Sequence, residues 1–331
     1  MTQNAAALAF ADLQPDDILT ALSDMGFECD GRFLALNSYE NRVYQIGMDD
    51  GPPLVAKFYR PDRWSDKSIL EEHAFSLALA LDEIPVIAPL RTAAGDTLYH
   101  FDEFRFALFP RQGGHWPELD RTENLEWMGR LMGRIHQLGA ARPFTHRPTL
   151  DPARMVTDSA RFLLEHGFIP LELESRYRQL TDGLQGLIEQ CFESASGYRQ
   201  LRLHGDCHPG NILWTEQGPH FVDMDDCRNG PAVQDLWMLL SGNRQDMALQ
   251  LSHLLAGYQT FRELDSREIA LIEALRTLRM IHYSAWIALR WPDPAFPNAF
   301  PWFNTHGYWQ DHLSQLEQQR VALEQPPLPR Y

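Results

Sequence analysis

Residues 201–214, LRLHGDCHPGNILW, place two histidines, a cysteine, an aspartate and an asparagine in eight consecutive positions between apolar, strand-like residues. Two kinds of site would use so many polar side chains in one short loop: a zinc site, or the catalytic loop of a phosphotransferase. The zinc ligands would be His204, Asp206, Cys207 and His208. Structural zinc sites usually combine two separated pairs of ligands, and a zinc site would leave Asn211 unexplained. The stretch therefore favours the phosphotransferase, and the rest of the sequence has to supply its other parts.

The spacing within this loop matches a kinase pattern. Asp206 is followed five residues later by Asn211, as in the catalytic-loop pattern H-R-D-x-x-x-x-N. Twelve residues after Asn211 comes Asp223, in FVDMDD. Mg²⁺ is a hard cation that prefers oxygen ligands, so the Asp223 carboxylate and the Asn211 amide oxygen can meet at one metal ion. Phosphoryl transfer from ATP needs such ligands, together with a carboxylate that orients the acceptor hydroxyl.

A lysine for the ATP phosphates is found upstream of the loop. VAKF places Lys57 on a strand and matches the pattern V-A-I-K with one residue deleted. The following helix carries Glu71 and Glu72, and either carboxylate could pair with Lys57. Each of these parts is a weak signal alone. Their order along the chain, and their positions on strands, loops and helices, together indicate a phosphotransferase.

Hydrophobic periodicity divides the chain into a β-rich part and a helical part. The first part has helices at 15–26 and 65–81 and the strand-like runs RFLALN, NRVYQIG, PPLVAKFY, PVIAPL, DTLYH and FRFALF. A Pro/Gly-rich joint follows at 110–119. Beyond it we predict helices at 122–139, 153–166, 172–195, 232–241, 246–261, 267–290 and 308–324.

This order of elements predicts an α+β, two-lobed, protein-kinase-like fold. A small antiparallel β-rich lobe would take residues 1–110 and bind the nucleotide, and a larger, mainly helical catalytic lobe would take residues 111–331. A ligand cleft, here for ATP, is expected between two such lobes.

Composition argues against several classes of partner. The 331-residue chain has a formal net charge of −16, which repels nucleic-acid phosphates and anionic lipid surfaces. Four cysteines without a C-x-x-C pair are typical of reduced thiols in the cytoplasm. The N-terminal residues lack the basic region of a signal peptide, and no stretch reaches the roughly 18 apolar residues of a membrane span. We therefore expect a cytoplasmic protein, acting as a monomer, that binds neither nucleic acid nor membrane.

The motifs resemble those of a known superfamily. LHGDCHPGNILW together with FVDMDD resembles the aminoglycoside phosphotransferase and choline kinase-type superfamily of protein-kinase-like enzymes. LNSYENRVYQI, VAKFYRPDRW, ILEEHAF, NGPAVQDLWMLL and WPDPAFPNAFPWF are similar to a narrower group within it, bacterial cytoplasmic serine/threonine protein kinases. The resemblance runs from about residue 17 to about residue 327.

The resemblance implies a role for each of these residues. It makes Asp206 the catalytic carboxylate, and Asn211 and Asp223 the Mg²⁺ ligands, with Asp223 also counted as catalytic. It places Ser38 at the ATP phosphates and Lys57 as the phosphate-binding lysine. ATP would be the co-substrate and Mg²⁺ the cofactor.

Some details depart from the better-known protein kinases or stay open. There is no G-x-G-x-x-G, so the phosphate cover would be LNSYENR, in which the Ser38 hydroxyl and backbone N–H groups replace the glycine loop. The phase of E-x-x-F-x-x-x-L favours Glu72 over Glu71 as the partner of Lys57. Asp235, at a predicted helix start, is expected to hold the backbone of the catalytic loop. Asp225 and Asp226 are expected to be surface or supporting acids, with a second Mg²⁺ as the alternative.

Three functions are compatible with these parts. The first is an ATP- and Mg²⁺-dependent serine/threonine protein kinase that also phosphorylates itself. The second is a small-molecule kinase acting on the hydroxyl of an amino alcohol, sugar or aminoglycoside. The third is an inactive kinase fold used as an interaction module, against which the intact set of Lys57, Asp206, Asn211 and Asp223 argues. The resemblance to the narrower group favours the first, and the sequence leaves the substrates unnamed.

Overall fold

A computed structural model describes residues 9–10 and 12–330 of the chain. Its contacts divide the chain into two compact units, each of which takes discontinuous segments. The β-rich unit comprises Met1–Pro117, Phe144–Arg147 and His208–Cys227, and the helical unit comprises Glu118–Pro143, Pro148–Cys207 and Arg228–Tyr331. Residues 1–8, for which no signal peptide is expected, lie outside the described residues, as do residues 11 and 331.

The β-rich unit is built on a five-stranded antiparallel sheet in the order β1–β2–β3–β5–β4. The strands are β1 (Cys29–Ala35), β2 (Arg42–Met48), β3 (Leu54–Tyr59), β4 (Tyr99–Phe101) and β5 (Phe104–Pro110). Five of the six predicted runs contribute strands, but PVIAPL does not and makes only one isolated bridge, Val86 to Phe221. Its two prolines lack the N–H that a ladder needs, which explains the wrong prediction.

Alternation along β3 puts Lys57 on one face of the sheet. Leu54, Ala56 and Phe58 point into a core that includes helix α1 (Pro15–Asp24). Lys57 and Tyr59 alternate with these residues and therefore point to the other face of the sheet. There Tyr59 packs in a second cluster with Ile69 of helix α2 (Asp66–Leu81). The Ser65 hydroxyl caps α2 by accepting a hydrogen bond from the Ser68 amide at 3.2 Å.

A hairpin of β7 (Ile212–Thr215) and β8 (Gly218–Phe221) completes the β-rich unit. The 3₁₀ turns Pro209–Asn211 and Met224–Asp226 flank this hairpin along the chain. The hairpin register therefore decides which residues before β7 lie opposite those after β8.

The helical unit contains helices close to the predicted ranges. They are α3 (Thr122–Gly139), α4 (Pro152–Glu165), α5 (Leu171–Ser194), α6 (Val233–Trp237), α7 (Arg244–Tyr258), α8 (Ile272–Arg290), α9 (Ala295–Ala299) and α10 (His306–Leu323). α6 is much shorter than the predicted 232–241, and the predicted helix at 267–290 begins as a 3₁₀ turn, Ser266–Leu271. Short strands β6 (Leu201–Leu203) and β9 (Arg228–Gly230) pair antiparallel. Over the described ranges, no helix is long and apolar enough to cross a membrane.

Candidate active site

The β7–β8 hairpin brings Asn211 and Asp223 to the same end of a short ladder. Ile212 pairs with Phe221, and the Val222 amide donates to the Asn211 carbonyl oxygen at 3.0 Å. Asp223 then turns into the left-handed region, with φ 59° and ψ 63°, and its side chain is 50% exposed. A carboxylate and an amide oxygen at one accessible hairpin end fit the oxygen donors that Mg²⁺ takes.

Lys57 reaches the same carboxylate from the sheet. Its side chain is only 9% exposed, and its Nζ lies 2.9 Å from Asp223 Oδ1 and 3.3 Å from Asp225 Oδ1. Burial alone would lower the pKa of Lys57, but the charges of Asp223, Asp225 and Glu72 raise it well above its usual value. The lysine is therefore a fixed positive charge next to the predicted metal ligand.

Glu72 does not make the predicted ion pair with Lys57. Its carboxylate instead accepts from Arg147 Nη2, and both side chains are almost fully buried. Arg147 also donates from Nη1 to the Asp225 carbonyl oxygen at 2.6 Å and from Nε to the Ser68 carbonyl oxygen at 2.9 Å. Burial raises the pKa of Glu72, while the charges of Lys57 and Arg147 oppose the rise. Arg147 thus joins helix α2 to the turn that follows Asp223.

Glu71, the alternative partner, has another task. Its two carboxylate oxygens accept from the backbone amides of Thr145, His146 and Arg147 at 2.7, 2.7 and 2.8 Å. Those hydrogen bonds hold the segment 144–147 against α2 and so present Arg147 to Glu72. The two adjacent glutamates therefore bind the same segment, Glu71 through its backbone amides and Glu72 through the Arg147 side chain.

The loop with Ser38 is tied to the turn after Asp223 by polar contacts. Ser38 is half-buried between β1 and β2. Three residues later, Asn41 donates from Nδ2 to Asp225 Oδ2 at 3.1 Å and accepts from the Arg60 amide at 3.0 Å. Arg63 pairs with Asp225 and, at 2.9 Å, with Asp226.

Asp225 is consequently buried, with only 3% exposure. The sequence predicted either a surface position or a supporting role for it. The supporting role is the one that its contacts show. Burial would raise the pKa of Asp225, but the charges of Lys57 and Arg63 hold it below its usual value. Sequence reasoning missed Asn41, Arg63 and Arg147, although two arginines within RPDR, directly after the VAKF strand, were an available signal.

Asp206 lies in the helical unit, in a loop whose backbone amides donate hydrogen bonds to Asp235. The carboxylate of Asp235 accepts from the His204 and Gly205 amides, both at 2.8 Å, and from His136 Nε2 at 3.1 Å. Burial would raise the pKa of Asp235, but the hydrogen bond from His136 and the nearby His204 keep it below its usual value. The expectation that Asp235 supports this loop is confirmed.

The Asp206 side chain has a partner that the sequence did not suggest. Arg279, on α8, donates from Nη1 to Asp206 Oδ1. The Asp206 amide donates to His204 Nδ1 at 3.4 Å, so His204 braces the loop. No sequence spacing links Arg279 to the loop, because the two are 73 positions apart.

Cys207 has the environment of a packing residue. It is fully buried, and its Sγ lies 3.9 Å from Met132 Sδ. Burial, with Asp235 and Asp206 nearby, raises the pKa of its thiol well above the usual value. Within residues 9–10 and 12–330, no three His, Cys, Asp or Glu side chains are arranged to hold a metal ion.

Comparison with known proteins identifies the class. The model of a phosphotransferase enzyme family matches residues 32–271 of this chain. The chain belongs to this phosphotransferase family and is an enzyme of the kinase type.

Its relatives are more specific. It is 44% identical to the stress response kinase A proteins of Escherichia coli K12 and Salmonella typhi, over 98% of this chain and 98% of each relative. A Salmonella typhimurium relative, with the same identity and coverage, is named serine/threonine protein kinase RdoA. The resemblance stated from the motifs is thereby confirmed.

Solved structures confirm the protein-kinase-like α+β fold class. Amicoumacin kinase hAmiN, in complex with AMP-PNP, Ca²⁺ and Ami, has a TM-score of 0.71 at 17% identity, covering 100% of this chain and 98% of its own. The choline kinase LicA of Streptococcus pneumoniae has a TM-score of 0.63 at 13% identity, covering 93% and 98%. At these identities the likeness concerns the fold alone.

Proposed function

We propose that this protein is an ATP- and Mg²⁺-dependent serine/threonine protein kinase that transfers the γ-phosphoryl group to protein hydroxyls, its own included. The observation that carries the proposal is the 2.9 Å contact between the buried Lys57 and Asp223. It places the strand lysine proposed for the ATP phosphates next to the carboxylate proposed for Mg²⁺, and phosphoryl transfer from ATP uses both groups. The name of one relative that is 44% identical, serine/threonine protein kinase RdoA, supports a protein acceptor.

Each candidate residue has a role in this proposal. Lys57 and the Ser38 loop bind the ATP phosphates, and Asn211 and Asp223 hold Mg²⁺ through oxygen atoms. When bound, Mg²⁺ neutralises the charge that develops on the phosphates. Asp206 orients the acceptor hydroxyl and accepts its proton. Glu72 supports the site through Arg147 rather than through a direct contact with Lys57.

The remaining expectations belong to the same proposal. Residues 1–110 would form the nucleotide-binding lobe and residues 111–331 the catalytic lobe, in a monomeric protein. Cytoplasmic location is supported by Cys29, Cys191, Cys207 and Cys227, all free thiols, which are common in a reducing compartment.

Radiolabelled ATP tests the proposal directly. The purified protein is incubated with γ-labelled ATP and Mg²⁺, with and without a generic protein acceptor such as casein, and with a panel of aminoglycosides and choline. We expect label in the protein acceptor and in the enzyme itself. Label that enters only the small molecules would replace the proposal with the small-molecule kinase, and no transfer at all would favour the inactive interaction module.

Variants then test the assignment of residues. Asp206→Ala should abolish transfer but leave ATP binding intact, since its role lies in the transition state. Asp223→Ala should lose both Mg²⁺-dependent nucleotide binding and turnover, whereas Asp311→Ala, an exposed aspartate on α10, should behave as wild type. Equal losses of ATP affinity and rate in Asp206→Ala would show that its assigned role is wrong.

A further inference from the structure

The proposed catalytic carboxylate is paired with a cation on α8. Arg279 Nη1 donates to Asp206 Oδ1, and the Arg279 side chain remains 38% exposed. Both residues belong to the helical unit. An acceptor hydroxyl that approaches Asp206 must therefore also approach this guanidinium.

Arg279 has hydrogen-bonding capacity left over. A guanidinium has five N–H donors arranged in a planar fork. In the described part of the chain, Asp206 is the one residue that accepts a hydrogen bond from Arg279. The unused donors on a partly exposed side chain can bind a second carboxylate while Nη1 stays on Asp206.

The same face of α8 continues with aromatic and cationic side chains. Tyr283, one turn beyond Arg279, is 39% exposed and stacks on Trp286, with ring centroids 5.7 Å apart. The Arg290 guanidinium lies over the Trp286 ring, 5.1 Å from its centroid. These side chains follow helical spacing, at residues 279, 283, 286 and 290, so they form one strip along α8. The first residue of the strip, Arg279, contacts Asp206. The strip contains two arginines, in a chain whose formal net charge is −16.

We propose that the α8 strip, Arg279 to Arg290, binds the acceptor, and that the acceptor is a serine or threonine flanked by acidic residues in a polypeptide. This inference rests on the proposed kinase function and adds the chemical class of its substrate. A carboxylate next to the phosphorylated residue would bind the free donors of Arg279. The cationic groups of a quaternary ammonium or a polyamine cannot accept a hydrogen bond from these N–H donors, which disfavours choline and aminoglycosides. Arg279 is thus a specificity-determining residue.

Three peptides of equal length test the proposal with the full-length protein. Each has one central serine, and its flanks are glutamate, alanine or lysine. We expect wild-type kcat/KM to be at least about tenfold higher for the glutamate peptide than for the lysine peptide, and the difference to shrink as salt rises. In Arg279→Gln, the ratio should fall to about threefold or less, with KM for ATP unchanged, and Arg279→Lys should restore part of it. Arg320→Gln, which removes an exposed arginine on α10, should keep the wild-type ratio.

The outcomes separate the two claims. A wild-type protein that labels all three peptides equally, or prefers lysine flanks, overturns the acceptor inference while the protein kinase proposal stands. A protein that labels no peptide or protein hydroxyl, but labels choline or an aminoglycoside, overturns both. If Arg279→Gln lowers kcat/KM for the three peptides by one common factor, Arg279 only shapes the loop and the inference is wrong. The wild-type ratio and its salt dependence decide the question even if the variant is unstable.

Discussion

The support of the catalytic loop by Asp235 gives a prediction whose size follows from the contacts. Asp235 is fully buried, and its two carboxylate oxygens accept from the His204 and Gly205 amides at 2.8 Å and from His136 at 3.1 Å. In Asp235→Asn, one oxygen becomes an NH₂ group that cannot accept a hydrogen bond. At least one backbone N–H of the loop is then buried without a partner, and the hydrogen bond that remains loses its charge assistance.

These losses add up to about 2 to 4 kcal/mol in the free energy of unfolding, since an unpaired buried donor costs about 1 to 3 kcal/mol and charge assistance about 1 more. Turnover should fall as well, because the loop that carries Asp206 is no longer held in one position. Substitution of Asp235 removes no candidate ATP-binding group, so we expect kcat to fall while KM for ATP stays within about twofold.

Chemical denaturation and steady-state kinetics measure the two effects separately. Asp311→Asn, which changes an exposed aspartate in the same unit, is the matched control and should alter neither. Sedimentation or circular dichroism confirms that both variants are folded. The reasoning is refuted if Asp235→Asn unfolds at the wild-type denaturant concentration, or if its KM for ATP rises as much as its kcat falls.

Three other substitutions test other parts of the structure. Burial raises the pKa of Glu268 to about 7, so the folded state holds a proton that the unfolded state releases near the ordinary glutamate value of 4.5. Stability is therefore lost as pH rises from about 4.5 through 7. Glu268→Gln should flatten this decline, of order 1 to 3 kcal/mol, in denaturation at pH 5 and 8. Asp225→Asn leaves two buried cations without a shared carboxylate and should cost about 3 to 5 kcal/mol in denaturation, with a higher KM for ATP. Gly257→Ala should lower the melting temperature, because the Cβ of the alanine would lie 1.9 Å from the Glu126 carbonyl oxygen on α3. An unchanged melting temperature would contradict the close approach of α3 and α7.

Periodicity predicted most elements of the fold, and its failures have local causes. Helices α3, α4 and α5 begin and end within one residue of their predicted limits, because their apolar positions repeat at 3.6-residue spacing over many turns. PVIAPL was apolar and short enough to pass for a strand, yet prolines remove its ladder donors. The predicted helix 232–241 was too long, because Leu239 and Leu240 are buried in the core although α6 has already ended. Their apolar character reflects burial and not helical structure.

The candidate site was predictable where its residues lie in a motif, and not where they come from distant segments. Spacing suggested that Asn211 and Asp223 lie near each other, and the hairpin register puts their backbones at the same end of the ladder. Lys57 was placed on its strand by the VAKF pattern, and its contact with Asp223 spans 166 positions. Arg279 belongs to no motif, since α8 reads in sequence as an ordinary amphipathic helix. A single sequence contains no information on which helix will bring a charge to the loop.

The choice between Glu71 and Glu72 shows why the pairing of buried charges resists prediction from helical phase. Adjacent helical residues point about 100° apart, so phase can decide which glutamate faces the core. Helical phase cannot decide which cation will pair with that glutamate. Here Arg147, 75 positions away, forms the ion pair with Glu72. A buried carboxylate needs a compensating charge wherever it can find one. Once Arg147 supplies it, Lys57 is left with Asp223 and Asp225, and its partner is set by a segment of chain that no kinase motif contains.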